Sequence, residues 1–221
     1  MHFLNTNALF TLENTRAAVF LKTAQYPFEL LPKIGSFITE LGQTLDPAVF
    51  ERIGEQIWIA RSAKVNPSAN ITGPTIIDEA AEIRHCAFIR GNALIGKNCV
   101  VGNSTELKNV ILFDKVQVPH YNYVGDSILG YRSHLGAGAI TSNVKSDKSP
   151  VTVTTPHGRV ETHLKKFGAI LGDGVEVGCG TVLNPGTVIG KNTNIYPLSM
   201  VRGFVPQNCI YKRQGEIVVK N

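Results

Sequence analysis

The 221-residue chain lacks long apolar segments and paired cysteines. No apolar run approaches the roughly 20 residues that a membrane-spanning helix requires, so we predict no membrane segment. The N-terminus, Met1 to Asn5, has no charged region followed by a long apolar core, and we find no secretory signal. The four cysteines have no paired spacing, which argues against a disulfide framework. These absences predict a protein of the reducing cytoplasm.

A dense basic stripe is also absent, although the net charge is +5 and the pI about 9.0. Lysine and arginine do not interleave with aromatic side chains, so nucleic acid is not a predicted partner. Basic residues are instead frequent in 132–166 and at 202–213, which we interpret as local sites for anionic small molecules. With 43% hydrophobic and 18% charged residues, the composition is that of a globular chain.

A large apolar residue recurs at every sixth position through most of the chain. The first run is Ile59, Val65, Ile71, Ile77, Ile83, Ile89, Ile95, Val101, Leu107 and Phe113, and the second is Leu171, Val177, Leu183, Ile189, Ile195 and Val201. Between them the period slips by one residue at Val118 and at Leu129. No helix has a period of six and a flat strand has a period of two, so the pattern predicts a parallel β-solenoid. The alternative is a β-sandwich, whose strands are spaced more widely, at about 8–12 residues.

Residues 1–56 do not follow this period, and their apolar spacing is helical. We predict helices over Leu9–Leu21 and Leu30–Leu41, and a third short helix that begins at Asp46-Pro47 and ends by Gly54. A solenoid exposes apolar surface and unpaired backbone at its first coil. We therefore expect residues 1–56 to form a small helical cap over the N-terminal end.

The repeating segment is predicted to span residues 57–206, with an inserted loop at 142–168. Within the loop, Val151 to Thr155 and Val160 to Leu164 have the pattern of a hairpin. A long insertion in a regular solenoid usually has a function, and we expect this one to reach a neighbouring subunit. The tail, 207–221, is predicted to be an edge strand or a loose end.

The segment PHYNYVGDSILGYRSHLGAGAITSN resembles the acetyltransferase half of the bifunctional glucosamine-1-phosphate acetyltransferase/N-acetylglucosamine-1-phosphate uridylyltransferases. It is more similar still to the archaeal-type sugar-1-phosphate nucleotidylyltransferases that carry the same β-helix. GNSTELKN before it and LKKFGAILGDGVEVG after it extend the resemblance from about Ile59 to Tyr211. The resemblance implies an all-β, left-handed parallel β-helix of hexapeptide repeats, a homotrimer with its active site between subunits, and acetyl-CoA as co-substrate.

Two residues of this segment match functional positions of that family. His120 matches the catalytic base, and a neutral imidazole near pH 7 suits the deprotonation of an ammonium group. The alternative is a surface histidine that merely follows Pro119. Tyr123 matches a tyrosine that contacts the sugar phosphate, and packing beside the inward-facing Val124 is its alternative role.

Arg90 and Lys108 match the basic pair that binds the phosphate of the sugar. They are 18 residues apart, or three hexads, so they lie on the same side of successive coils. Two cations stacked about 5 Å apart repel each other unless an anion lies between them. The alternative is a pair of solvated surface charges, and we interpret Glu106 as a residue that orients Lys108.

The resemblance also implies weaker substrate contacts. Asn143 and Lys148 fall where the family places further contacts to the sugar, the acetyl group and the phosphate. His134 and Ala139 stand where the acetyltransferase pattern has Asn and Thr. A histidine at the Asn position, which helps to hold the substrate or the base, predicts either a shifted substrate preference or a loss of activity.

Further matches concern the coenzyme. Ala169, Cys179 and Pro197 fall on positions whose backbones line the coenzyme A groove in the family. Arg213 or Lys212 would meet the phosphate of the coenzyme.

Three functional hypotheses follow from these residues. The first is an acetyl-CoA-dependent N-acetyltransferase acting on an amino-sugar phosphate similar to glucosamine 1-phosphate. The second is a non-catalytic trimer that binds a sugar phosphate or acts as a scaffold. The third, a metal enzyme of the solenoid carbonic-anhydrase type, needs three clustered histidines, and His85, His120 and His134 lack the close pair of that class. The Gly-rich nucleotide loop is absent, so we expect no nucleotidyl transfer by this chain alone.

Overall fold

The computed structural model describes residues 1–220 and shows a prism of stacked parallel coils. The strands are β1 (Phe50–Gly54), β2 (Ile57–Ala60), β3 (Lys64–Val65), β4 (Asn70–Ile71), β5 (Thr75–Ile77), β6 (Glu82–Ile83), β7 (Phe88–Ile89), β8 (Ala93–Ile95), β9 (Val100–Asn103), β10 (Glu106–Leu112), β11 (Gln117–His120), β12 (Tyr123–Leu129), β13 (His134–Leu135), β14 (Ile140–Thr141), β15 (Thr152–Thr155), β16 (Gly158–Glu161), β17 (Ala169–Leu171), β18 (Glu176–Val177), β19 (Val182–Leu183), β20 (Thr187–Ile189), β21 (Asn194–Ile195), β22 (Met200–Val201), β23 (Phe204–Val205), β24 (Cys209–Arg213) and β25 (Glu216–Val219). The predicted left-handed parallel β-helix is confirmed.

The prism has three sides, which the chain visits in turn. Side 1 is a nine-stranded sheet that contains β3, β6, β9, β11, β13, β18, β21, β24 and β25. Sides 2 and 3 belong to one 14-stranded sheet, because β10 and β12 bend across the corner between them. Side 2 comprises β4, β7, β14, β19, β22 and the first residues of β10 and β12, and side 3 comprises β2, β5, β8, β17, β20, β23 and their last residues. Corner 1 joins sides 1 and 2, corner 2 joins sides 2 and 3, and corner 3 joins sides 3 and 1.

The sixth-residue repeat forms the core of the prism. From Ile77 to Val201 every predicted inward residue is buried. Burying one such aliphatic side chain stabilises the fold by about 1.5–3 kcal/mol. The first slip lies one step earlier than predicted, because Leu112, not Phe113, aligns with Ile95 and Leu129. Both five-residue steps therefore fall at corner 2, where β10 and β12 run without a break.

The N-terminal segment is helical only in part. The helices are α1 (Thr6–Leu9), α2 (Ala18–Leu21) and α3 (Ile34–Gln43), with 3₁₀ turns at His2–Leu4, Leu12–Asn14 and Pro27–Lys33. The predicted second helix is confirmed by α3. The predicted first helix, Leu9–Leu21, is wrong over most of its length, because only α2 within it is α-helical. Its apolar residues pack on the solenoid from an irregular segment and not from one face of a helix.

The third predicted helix is also wrong, because β1 occupies its position and pairs antiparallel with β2. Asp46 starts only a single turn, in which its side chain accepts a hydrogen bond from the Ala48 amide at 2.8 Å. β1 covers the edge of the first coil, which is the role that we expected of helices.

Residues 3–16, which we call the strap, run along corner 3 instead of covering an end. The Phe3 ring lies 4.4 Å from the ring of Phe204 in the last coil. At the other end, Arg16 Nε bonds Asp78 Oδ2 at 2.5 Å in an early coil. The strap therefore links late coils to early ones. Residues 3–16 do not form the expected helical cap over the end of the solenoid and instead pack along its side.

The insertion forms the predicted hairpin, in which β15 pairs antiparallel with β16. The hairpin folds onto this chain's own last coils, where Val151 and Val153 are fully buried, and the expected contact of the loop with a neighbouring subunit stays a prediction. Gly203 has φ +76°, and a Cβ there would lie 2.5 Å from the Thr154 carbonyl oxygen. A glycine is thus required where the hairpin meets side 3. The tail forms an edge strand, β25, as predicted. No helix within residues 1–220 has the length and hydrophobicity to span a bilayer.

Candidate functional site

Corner 1 aligns the predicted base with predicted coenzyme contacts. The ladder of backbone hydrogen bonds runs from Gly138 N to His120 O, from Gly180 N to Ala137 O, and from Leu198 N to Cys179 O, at 2.8–3.0 Å. Successive coils therefore place His120, Ala137, Cys179 and Pro197 in one line, which we call the corner column. Adjacent coils are about 4.8 Å apart, so His120 and Pro197 are separated by roughly 14 Å.

The His120 side chain is exposed and makes no hydrogen bond within residues 1–220. Its backbone is fixed by Asn122, a buried residue whose Oδ1 accepts the His120 amide at 3.1 Å. The Asn122 Nδ2 donates to the carbonyls of Gly136 at 2.9 Å and Ala139 at 3.0 Å in the next coil. The imidazole is thus free to accept a proton while its backbone is held in place. Sequence reasoning missed Asn122.

The second group of residues lies on side 2, which starts just after corner 1. Register pairs Ile89 with Leu107, so Arg90 and Lys108 are neighbours on successive coils as predicted. Each has a carboxylate partner: Arg90 Nη1 bonds Glu106 Oε1 at 2.7 Å, and Lys108 Nζ bonds Asp126 Oδ1 at 3.1 Å. Our interpretation of Glu106 is therefore wrong, because it contacts Arg90 and not Lys108.

Asp126 connects the other members of this group. Its carboxylate, 5% exposed, accepts Asn109 Nδ2 at 2.9 Å and Asn143 Nδ2 at 2.5 Å besides the Lys108 ammonium. Hydrogen bonds of this number are what a buried carboxylate needs. We call Arg90, Lys108, Tyr123, Asp126 and Asn143 the side-2 cluster. Asp126 and Asn109 were not predicted.

Tyr123 completes the side-2 cluster. Asn143 Nδ2 donates to its hydroxyl oxygen at 3.3 Å. Burial raises the pKa of Tyr123, and the charge of Asp126 raises it further. The phenol therefore stays protonated and keeps its O–H as a donor. A Cβ at Gly125 would lie 2.6 Å from this hydroxyl, so a larger residue there would displace the Tyr123 side chain from its place in the cluster.

Other predicted residues lie elsewhere. His134 is on side 1, where it aligns with Gln117 and its Nδ1 contacts Glu176 Oε2 at 2.8 Å. A single chain therefore does not bring His134 to His120, which aligns with Asn103. Lys148 is an exposed loop residue at φ +58° and makes no side-chain hydrogen bond within residues 1–220.

The remaining predicted residues are Ala139, Ala169, Lys212 and Arg213. Ala169 is fully buried and its amide donates to Ser127 Oγ, so its predicted place in a coenzyme groove is corrected to the core. Ala139 is likewise buried. Arg213 Nε bonds Glu216 Oε2 at 2.7 Å. Because Tyr211 aligns with Ile195, Arg213 extends the corner column by one coil beyond Pro197. Lys212 Nζ lies 3.4 Å from Glu216 Oε1.

Within residues 1–220, no group of three His, Cys, Asp or Glu residues has the geometry to hold a metal ion. His85 and His120 share corner 1 but are separated by the coil of Asn103.

Comparison with known proteins assigns the chain to a family. The GMPPB C-terminal domain family matches residues 71–196, more than half of the chain. The chain belongs to this family. This member of the GMPPB C-terminal domain family is 32% identical over 176 residues to the bifunctional protein GlmU of Methanococcus maripaludis (strain C5 / ATCC BAA-1333). The match covers 72% of this chain and 43% of that protein. It thus spans less than half of the length of this curated relative.

Two further matches each cover most of this chain and most of the matched protein. The putative uncharacterized acetyltransferase YaiX of Escherichia coli (strain K12) is 28% identical to this family member over 172 residues, 78% of this chain and 75% of YaiX. A solved hexapeptide transferase family protein from Anaplasma phagocytophilum is 15% identical with a TM-score of 0.49, covering 74% of this chain and 78% of that one.

Proposed function

We propose that this chain is an acetyl-CoA-dependent N-acetyltransferase of amino-sugar phosphates, with its active site between the subunits of a homotrimer. The observation that carries the proposal is the corner column, which aligns the exposed imidazole of His120 with Cys179 and Pro197. The side-2 cluster begins at Tyr123, three residues after His120. The proposed base therefore lies at corner 1, and the pair of cations lies on side 2, the next side along the chain. The acetyltransferase name of YaiX supports the same reaction class.

His120 is the general base of the proposed reaction. Its neutral imidazole accepts a proton from the ammonium group of the sugar, or from the tetrahedral intermediate that the amine forms. The amine nitrogen forms a bond to the thioester carbonyl carbon, and the carbon–sulfur bond breaks. The coenzyme leaves as a thiolate and takes up the proton. The coenzyme arm would extend along the corner column toward Arg213 and Lys212.

The side-2 cluster would bind the phosphate of the sugar. Arg90 and Lys108 supply two positive charges on adjacent coils, and Glu106 and Asp126 hold them in place before the substrate arrives. The protonated phenol of Tyr123 is a further donor. Charge-assisted hydrogen bonds of this kind are stronger than neutral ones.

The test is an assay of acetyl transfer from acetyl-CoA to glucosamine 1-phosphate. The released thiol of coenzyme A is the quantity measured. His120→Ala should reduce kcat by about 10²–10⁴-fold, the usual contribution of a general base. The side chain is exposed and makes no hydrogen bond within residues 1–220, so the unfolding temperature should not change. His85→Ala, on the same corner two coils away, is the control and should keep its activity. Full activity in His120→Ala would show that His120 is not the base. Absence of activity in the wild type would favour a non-catalytic sugar-phosphate-binding trimer.

A further inference from the structure

Side 1 carries a cavity of about 450 Å³ that the proposed reaction does not use. It is lined by Asn98, Lys115, Gln117, Arg132, His134 and Glu176. Neither Lys115 nor Arg132 has a carboxylate partner among the described residues 1–220. The one carboxylate in the lining, that of Glu176, contacts His134 Nδ1 at 2.8 Å. Two cations against one carboxylate leave an excess of positive charge even when His134 is neutral.

The two cations are neighbours on corner 3. The Arg132 amide donates to the carbonyl of Asp114, the residue before Lys115, at 3.1 Å, so the side chains leave adjacent coils. Their backbones are only about 4.8 Å apart, and like charges at that spacing repel. An anion between the two side chains would remove this repulsion.

The backbone at these positions does not favour long side chains. Lys115 has φ +61° and Arg132 has φ +58°. Four of the equivalent corner positions in other coils hold Asn98, Gly174, Asn192 and Asn208, residue types that adopt this left-handed conformation readily, and another holds Ala80 with φ +55°. Residues held in a disfavoured conformation cluster at functional sites. Lys115 and Arg132 therefore combine a disfavoured backbone conformation with mutual repulsion of their charges, and a bound anion would offset the repulsion.

We propose that Lys115 and Arg132 form a second anion-binding site, which takes a phosphate group. The Arg132 guanidinium offers paired donors to phosphate oxygens, and Lys115 supplies a compact charge. Lys115 Nζ lies 5.7 Å from the centre of the Tyr131 ring, which limits its motion. The amides of Asn98 and Gln117 add neutral donors to the lining.

This site is separate from the proposed acetyl-transfer centre. Lys115 precedes His120 by five residues along an extended segment, which places it roughly 16 Å away. Arg90 and Lys108 are on side 2. The inference therefore does not depend on acetyl transfer, and either can fail without the other.

The experiment follows the ring-proton signals of His134 by NMR at constant pH while inorganic phosphate or adenosine monophosphate is added. Both probes carry the same phosphate group, and the tighter one identifies its source as free phosphate or a nucleotide. We expect a saturable shift with at least one probe. The double variant Lys115→Asn/Arg132→Asn should weaken binding at least tenfold, and its asparagines suit the left-handed backbone.

A matched control is Arg159→Asn/Lys165→Asn, which removes two exposed positive charges in 142–168. This variant should bind the probes as the wild type does, as measured by the shift of the His134 signals. Arg90→Met/Lys108→Met should also leave it unchanged, because the side-2 cluster is elsewhere. The absence of a saturable shift with both probes would overturn the proposal. Equal weakening in the Arg159→Asn/Lys165→Asn control would overturn it as well, since only net charge would then matter.

Discussion

At the scale of single residues, Asp126 determines the geometry of the side-2 cluster. Its buried carboxylate joins the ammonium of Lys108 to the amides of Asn109 and Asn143. It does so from a left-handed backbone, φ +48°, which asparagine and aspartate tolerate better than most residues. Asp126 therefore acts as a positioning residue for the proposed phosphate contacts.

Asp126→Asn should raise KM for the amino-sugar phosphate about tenfold and lower the free energy of unfolding by about 2 kcal/mol. Asparagine keeps the backbone but leaves Lys108 without its counter-charge and turns an acceptor into a partial donor. Urea unfolding and steady-state kinetics measure the two effects. Glu106→Gln is the comparison: it removes a partly exposed partner of Arg90, so KM should rise while stability is retained. Unchanged kinetics in Asp126→Asn would show that Lys108 needs no such support.

The residue-level predictions succeeded where the hexad determines position. Spacing alone placed Arg90 and Lys108 side by side, because three hexads, or 18 residues, return the chain to the same side of the prism. Asp126 and Asn122 were missed because their roles depend on corner geometry and on bonds between coils. A signal existed nonetheless, since Asn92, Asn109 and Asp126 recur at intervals of 17 residues, all with positive φ.

At the scale of elements, the strap stabilises the coils by spanning them. Phe10 is 3% exposed, and its ring lies 4.8 Å from the ring of Phe113. Phe113 occupies the place after an inward residue where other coils have Gly96 or Gly130, and the strap is what buries it. The helical spacing of Leu9 to Leu21 misled us because buried residues of an irregular segment can share that spacing.

Phe10→Ala should lower the free energy of unfolding by about 3–5 kcal/mol, the usual loss for a buried phenylalanine. Val19→Ala is the control in the same segment. Its side chain is 79% exposed, so stability should stay within about 0.5 kcal/mol. Thermal or urea unfolding of both variants tests this point. Equal, small effects would mean that the strap contributes little to the stability of the solenoid.

At the scale of the whole molecule, the solenoid was predictable and its assembly is a proposal. Repetition determines the coils, because each turn repeats the same inward pattern. The surface around corner 1 exposes large apolar side chains, among them Leu198 at 86% and Met200 at 53%. Such a patch beside the corner column fits a site that is closed by a second subunit.

The proposed homotrimer should sediment at about 72 kDa, three times the chain mass of 24.0 kDa. Leu198→Lys should shift the population toward the monomer, because it places a charge in the apolar patch. Lys22→Ala, at an exposed position of the N-terminal segment, is the control and should leave the assembly unchanged. Sedimentation of the wild type at the mass of one chain would contradict the assembly.

The most direct test of the central claim is a crystal structure with coenzyme A bound. We predict electron density for the coenzyme along corner 1, with its sulfur beside the His120 ring and its arm passing Cys179 and Pro197. Coenzyme bound with its sulfur on another side of the prism, away from His120, would contradict the claim that the corner column is the acetyl-transfer site.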